Sequence, residues 1–241
     1  TPLTKGLGKY FDVVVNAPPT NRLIEQGLLV PFRVLEGVAA NMDGVPVTSL
    51  GEWDEKEAEK KVLEVVGDVV QGYIEHGGGE QFIRFAHSLA HTVELQRQFQ
   101  AAGINVATYT ANDKPEDRSE VVQEFKRPGS SIRGILSVEA LTRGFDCPHV
   151  RVLIMARPLR KADHVFIQML GRVMRTFEDK HEALILDFSR NTRRFWDVWQ
   201  ELFENGVSEL DTGKPKPKPT AADKKPEPVK CPSCNTLHNP M

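Results

Sequence analysis

Gln168-Met169-Leu170-Gly171-Arg172-Val173-Met174-Arg175 is the stretch around which this 241-residue chain is organised. It closes a segment, Ala162 to Met174, that has helical spacing. At about 100° per residue, Ala162, Phe166, Met169, Leu170 and Val173 share one apolar stripe, and Gln168, Arg172 and Arg175 share a polar one. Gly171 lies beside the polar stripe. A glycine inside a helix costs about 1 kcal/mol against alanine, so a close approach by some neighbour or ligand is expected there. Two guanidiniums one turn apart make a planar fork of donors that matches phosphate oxygens. The plain alternative is a solvated face making ordinary salt bridges.

Around this stretch, strands and helices alternate. Residues 82–86 read as a short apolar strand. Ser88 can cap a helix running to Ala102, closed by Gly103. Residues 105–110 read as the next strand, and Pro115 opens a helix that turns Val121, Val122 and Phe125 inward before Pro128-Gly129 ends it. Further strands are predicted at 132–138, 150–155 and 182–188. A helix over 191–205 is expected to bury Phe195, Val198, Trp199, Leu202 and Phe203. Nearer the N-terminus, Val13 to Val15 reads as a strand and 21–26 as a short helix stopped by Gly27. Residues 28–35 are extended, 41–51 a loop, and 54–76 one amphipathic helix with Val62, Val65, Val66, Val69, Val70 and Tyr73 on its apolar face. This rhythm predicts an α/β fold with a mostly parallel central sheet covered on both faces. Ligands then gather at the carboxyl ends of the strands, in the loops after Ala86, Thr110, Val138 and Met155.

Composition narrows the classes. Hydrophobic residues make up 40% and charged residues 27%, with a net charge of −2, so any basic surface for nucleic acid has to be local. No apolar run reaches the ~18 residues of a membrane span, and no secretory signal opens the chain. Three cysteines make no disulfide framework, and a reducing cytoplasm is the expected setting. A start at Thr1-Pro2 without methionine and a stop at Met241 soon after Cys234 suggest a piece of a longer protein.

The loop after the 132–138 strand reads Glu139-Ala140-Leu141-Thr142-Arg143-Gly144-Phe145-Asp146-Cys147-Pro148. Taken alone, Gly144-Phe145-Asp146 is a turn between strands. Combined with Q-x-x-G-R-x-x-R at 168–175, the loop resembles motif V, and the later stretch motif VI, of the superfamily 2 helicases and translocases. Phe82 to Ser88 resembles motif IV, the Tyr109-Thr110-Ala111 loop with Arg118 and Phe125 is similar to the segment that follows it, and Thr1-Pro2 looks like the end of motif III. The resemblance therefore runs from the first residue to about Phe203 and covers the second RecA-like lobe, closest to the phage and bacterial helicases of restriction-subunit and repair type. It implies a RecA-like three-layer domain. It implies that Arg172 and Arg175 act on the terminal phosphate of ATP, that Gly144, Asp146 and Gln168 contact the nucleotide, and that Ser88, Thr110 and Thr142 hold one strand of nucleic acid. Gln168 stands where DEAD-box proteins usually have His, which argues against a dedicated RNA unwinder.

There is no G-x-x-x-x-G-K-[ST] and no D-E-x-H or D-E-A-D. Gly8-Lys9-Tyr10 does not supply such a loop, and Gly77-Gly78-Gly79 reads as a connector. The resemblance assigns ATP and Mg binding mainly to a first RecA-like lobe, the expected partner beside nucleic acid. No membrane partner is expected, and the chain alone is expected to be inactive as an ATPase. His87 and His91 read as surface or cap histidines. Residues 211–230, with five prolines among lysines, read as a disordered linker after a lobe at 1–210. Cys231, Cys234 and His238, in 231–241, look like a partial zinc knuckle, with Cys147 buried in the lobe. The rival reading is a non-enzymatic nucleic-acid-binding or adaptor module of the same fold.

Overall fold

The computed structural model describes residues 10–12, 18–138, 145–206 and 226–238. Six strands form one sheet: β1 (Phe32–Glu36), β2 (Phe82–Phe85), β3 (Val106–Tyr109), β4 (Gly134–Ser137), β5 (Val152–Met155) and β6 (Ala183–Asp187). Their order is β1-β6-β5-β2-β4-β3, and every neighbouring pair is parallel. Alternate side chains serve two cores, as the two-residue period of a strand requires. Ile83, Phe85, Ile135, Leu153, Met155 and Ile185 face one, with α6 (Asp163–Val173) and α8 (Trp196–Glu204). Phe82, Leu136, Val152, Ile154, Leu184 and Leu186 face the other, with α3 (Val66–His76) and α4 (Leu89–Ala101). Burial on both faces explains why the strands are near-continuous apolar runs. Gly134 opens β4 because a Cβ there would lie 2.1 Å from the Phe82 ring.

The short elements follow their local signals. α1 (Thr20–Glu25) ends before Gly27, which takes φ +69. α5 (Pro115–Lys126) starts on its proline. Ser88 caps α4, its hydroxyl accepting from the His91 N–H at 3.1 Å. Two expected helices are broken instead. The segment 54–76 divides into α2 (Glu55–Leu63) and α3, with Val65 at φ −109, ψ 13. Ala58, Val62, Val66, Val69 and Val70 still share one stripe, so periodicity carries no mark of the break. It falls beside β-branched Val62, Val65 and Val66 and just before Gly67, all poor helix formers. The segment 191–205 divides at Phe195 (φ −106, ψ 18) into α7 (Asn191–Arg194) and α8. The break turns Val198 out to 44% exposure and leaves Leu202 and Phe203 half-buried, while Phe195 and Trp199 are buried as expected.

Asp187, at the end of β6, is fully buried. Its carboxylate accepts from the Ser189 N–H (2.8 Å) and hydroxyl (2.6 Å) and from the Thr192 N–H (2.8 Å), so it caps the turn into α7. Asn191 and Arg194 of α7 then hold the carbonyls of Arg157 and Leu159, in the loop that leads into α6.

The strand expected at Val13 to Val15 lies outside the described residues, as does most of the expected linker. The C-terminal hairpin, β7 (Val229–Lys230) with β8 (Leu237–His238), begins inside the stretch read as linker and lies against the lobe. Thr236 bridges Leu35 beside the edge strand β1, and the Glu36 N–H donates to Asn235 O at 3.1 Å. Arg193 grips both carboxylate oxygens of Glu36 and donates to Pro228 O.

Candidate functional site

The arginine stretch does not stay helical to its end. α6 stops at Val173 with Met174 as its cap, and Arg175 is extended, bridged antiparallel to Leu29, while the Val30 N–H donates to Met174 O at 2.8 Å. The polar stripe through Arg175 is therefore corrected: its direction is set by the chain after Gly27, not by helical period. The two guanidiniums converge all the same. Arg172 Nη1 donates to Phe145 O at 3.1 Å, and Arg175 pairs with the Asp146 carboxylate. Lys180 adds a third cation on the same segment, its Nζ donating to Pro148 O (2.9 Å) and Val150 O (2.6 Å). Three cations from 172–180 thus clamp residues 145–150, where the loop re-enters the sheet.

Burial is the first cause of the shifts here. It lowers the Arg172 pKa, helped by the charge on Arg175 and opposed by Asp146. It pushes Lys180 down to about 8, with Arg151 and Arg175 adding to the effect. It pushes the Cys147 thiol up to about 12, which suits a buried core side chain. Arg172 Nε is buried with no hydrogen-bond partner among the described residues. Gly171 is open: a Cβ there would meet nothing within 4 Å, so none of the described residues makes the close approach its glycine suggested. Gln168 is exposed one turn before Arg172. This face presents the guanidinium and ammonium donors of Arg172, Arg175 and Lys180 around the Asp146 carboxylate, with no metal-holding group among the described residues. Such a face can bind and orient an anion.

At the carboxyl ends of β3 and β4, a cavity of about 210 Å³ is lined by Leu89, Tyr109, Thr110, Asn112, Arg118 and Val138. The Thr110 N–H donates to Asp113 Oδ2 at 2.6 Å, which tightens the turn after β3. The Arg118 guanidinium lies 5.7 Å from the Tyr109 ring centre, and its Nε is buried without a partner among the described residues. In the sequence Arg118 stands out only through the resemblance and Lys180 not at all, since no motif marks either cation. Ser88 stands beside Leu89, its hydroxyl oxygen already accepting from His91, so its proton is the donor it has for a phosphate. Thr142 and Gly144 lie outside the described residues.

His91 meets the cap half of its expectation, its N–H held by Ser88 and its Nδ1 accepting from the His87 N–H at 3.3 Å, but it is fully buried and so not a surface histidine. Arg84, also fully buried, places Nη2 at 2.9 Å from His91 Nε2. Burial first, then the charges of Arg84 and His87, holds His91 far below the ordinary imidazole range. Burial lowers His87 and His149 too. All three are neutral in the fold at pH values where the unfolded chain protonates. Their contribution to stability is therefore present above pH ~6.5 and lost as pH falls below it. Each uncompensated proton steepens that loss by up to about 1.4 kcal/mol per pH unit. Urea midpoints measured from about pH 7.5 to 5.5 are expected to fall, and a flat profile would contradict the buried neutral histidines.

The three proposed zinc ligands are not brought together. Cys231 and Cys234 sit in the turn of the β7–β8 hairpin, where Cys234 Sγ donates to Thr236 Oγ1 at 3.2 Å. His238 lies along the strand opposite Val229. No group of three His, Cys, Asp or Glu that could hold a metal ion occurs among the described residues. Two thiols do not close a structural zinc site, which needs four ligands.

Residues 61–177 match the helicase conserved C-terminal domain. The chain is similar to a "51.5 kDa protein" of a Lactococcus phage (isolate 7-9), 25% identical over 211 residues, which are 83% of this chain and 45% of that protein. It is also similar to a Saccharomyces cerevisiae protein, "Putative ATP-dependent helicase IRC3", 30% identical over 104 residues, 43% of this chain and 15% of that protein. Among solved structures, a fragment assigned to the HsdR subunit of a type I restriction enzyme from Vibrio vulnificus YJ016 shares the fold. Its TM-score is 0.64 at 20% identity, over 84% of this chain and 40% of that one. The chain spans less than half the length of each of these proteins.

Proposed function

We propose, for a chain whose residues 61–177 match the helicase conserved C-terminal domain, that it is the second motor lobe of an ATP-dependent helicase or translocase acting on DNA. The observation that carries this reading is the convergence of Arg172 and Arg175 on Phe145 O and Asp146, two places where nucleotide atoms can take over the same donors. The orphaned Arg172 Nε and the open space over Gly171 fit a phosphate arriving from outside the lobe. Bound ATP with Mg, held mainly by a first lobe, supplies the phosphoryl group. Arg172 and Arg175 supply positive charge to it, and Asp146, Gly144 and Gln168 orient the nucleotide. Ser88, Thr110 and Thr142 hold the backbone of one strand, with Arg118 as a cation beside them. Gln168 in place of histidine favours DNA. The thiols of Cys231 and Cys234 count as zinc ligands only if two further ligands come from elsewhere.

Binding tests the strand contacts. The 241-residue chain should bind single-stranded DNA weakly, through a few phosphates and without sequence preference. Log affinity should fall with log salt at a slope of about −0.7 per phosphate neutralised. Fluorescence anisotropy at low and moderate salt measures this. Salt-insensitive, sequence-selective binding would overturn the strand assignment of Ser88, Thr110 and Thr142.

A further inference from the structure

Between β1 and α2 the chain makes a tight turn over residues 47–53. Val47 bridges Trp53, the Thr48 N–H donates to Glu52 O (2.7 Å), and the Gly51 N–H donates to Thr48 O (2.8 Å). Leu50 sits at the tip with 87% of its surface exposed. Single exposed leucines are ordinary; the mount of this one is not. The Glu52 carboxylate accepts from the N–H groups of Arg160 (2.9 Å) and Lys161 (2.7 Å), and Arg160 Nη1 donates to Gly51 O at 2.6 Å. The Arg194 guanidinium lies 4.7 Å from the centre of the Trp53 ring. Gly51 takes φ +86, and a Cβ there would come within 2.7 Å of Lys161 Nζ, so the turn is packed down onto the loop after β5. His87 Nε2, in the loop after β2, lies 3.0 Å from Glu55 O at the start of α2.

These anchors fix the turn on the rim formed by the carboxyl ends of β2 and β5. Ser88, beside His87, lies on that rim, and Arg157, after β5, donates to Val138 O at the end of β4. An apolar tip held rigidly on the same rim as the proposed phosphate donor Ser88 has the chemistry of a wedge. Leucine is among the side chains that proteins insert between base steps, where an aliphatic surface replaces base stacking. We infer that the Leu50 turn is a strand-separating wedge, whose apolar tip packs against the terminal base pair of a duplex as one strand enters the rim. The inference rests on the proposal that this rim holds nucleic acid, and it adds the occupant of the tip: the unstacked face of a base.

The test uses two readouts on the 241-residue chain. Anisotropy follows binding to a single-stranded oligonucleotide, and 2-aminopurine at the junction of a forked duplex reports base unstacking. Junction fluorescence is expected to rise on binding. Leu50→Ser should lose most of that rise while single-strand affinity stays within about twofold, because backbone contacts are untouched. Leu50→Trp should restore it, since a larger flat surface stacks on a base. An unchanged rise in Leu50→Ser would overturn the wedge. So would a loss of single-strand affinity in step with the junction signal, or junction fluorescence that stays flat although the native chain binds single strands. If the native chain binds no single strand at low salt, the nucleic-acid reading of the rim falls, and the wedge with it.

Discussion

Arg175→Ala, placed in a protein that carries both motor lobes, is expected to cut ATP turnover by about 10³-fold or more, the scale on which arginine fingers act. The same change should leave the isolated chain's stability within about 0.5 kcal/mol. The Arg175–Asp146 pair is half-open, with side chains 34% and 68% exposed, and exposed ion pairs contribute little. Arg172→Ala should match it in turnover but cost more in the fold, about 1 kcal/mol, because Arg172 is partly buried and its bond to Phe145 O is lost. Lysine should rescue either site poorly, since a point charge cannot reproduce a planar fork of donors. Single-turnover hydrolysis and denaturant melts separate the effects. Normal turnover with a large loss of stability would make both arginines structural clamps on residues 145–146 and end the finger assignment.

Asp187→Ala should give the largest loss of stability among single changes at polar sites, about 3 kcal/mol or more. It strips three donors, the Ser189 N–H and hydroxyl and the Thr192 N–H, of a fully buried acceptor. Each buried donor left unpaired costs roughly 1–3 kcal/mol. For a chain of this size that lowers the melting midpoint by roughly 6–12 °C. Asp187→Asn keeps one acceptor oxygen and should lose less. The damage should spread toward the arginines, because α7 holds Arg157 O and Leu159 O ahead of α6. Thermal and urea melts decide it; a loss under about 1 kcal/mol would mean that water replaces the carboxylate at little cost.

Much of the lobe was legible because its signals are local. Apolar runs at 82–85, 134–137, 152–155 and 183–187 mark strands buried on both faces, Ser88 and Pro115 mark helix starts, and Gly27 and Gly103 mark helix ends. The motif resemblance named Asp146 with Arg172 and Arg175; in the structure Arg175 pairs with Asp146, and Arg172 donates to the neighbouring Phe145 O, which no motif named. The readings that failed depended on contacts between distant parts of the chain. His91 carries the same local pattern whether it faces solvent or a buried Arg84. Val198 sits on the apolar stripe until the helix breaks at Phe195.

By itself, then, the sequence determined the alternation of strands and helices and the parallel sheet, because each is written in side-chain period and caps, while the resemblance to motifs V and VI implied that the loop after Val138 and the arginine stretch serve one nucleotide. Only the tertiary structure decided that Arg175 leaves the helix to pair with Leu29, that Lys180 completes the clamp on residues 145–150, and that the Cys231 hairpin lies against β1 without His238 joining the thiols. Each of these is a hydrogen bond or bridge between residues far apart in sequence. Such a contact forms only when the whole core has closed around it, and no local pattern records it.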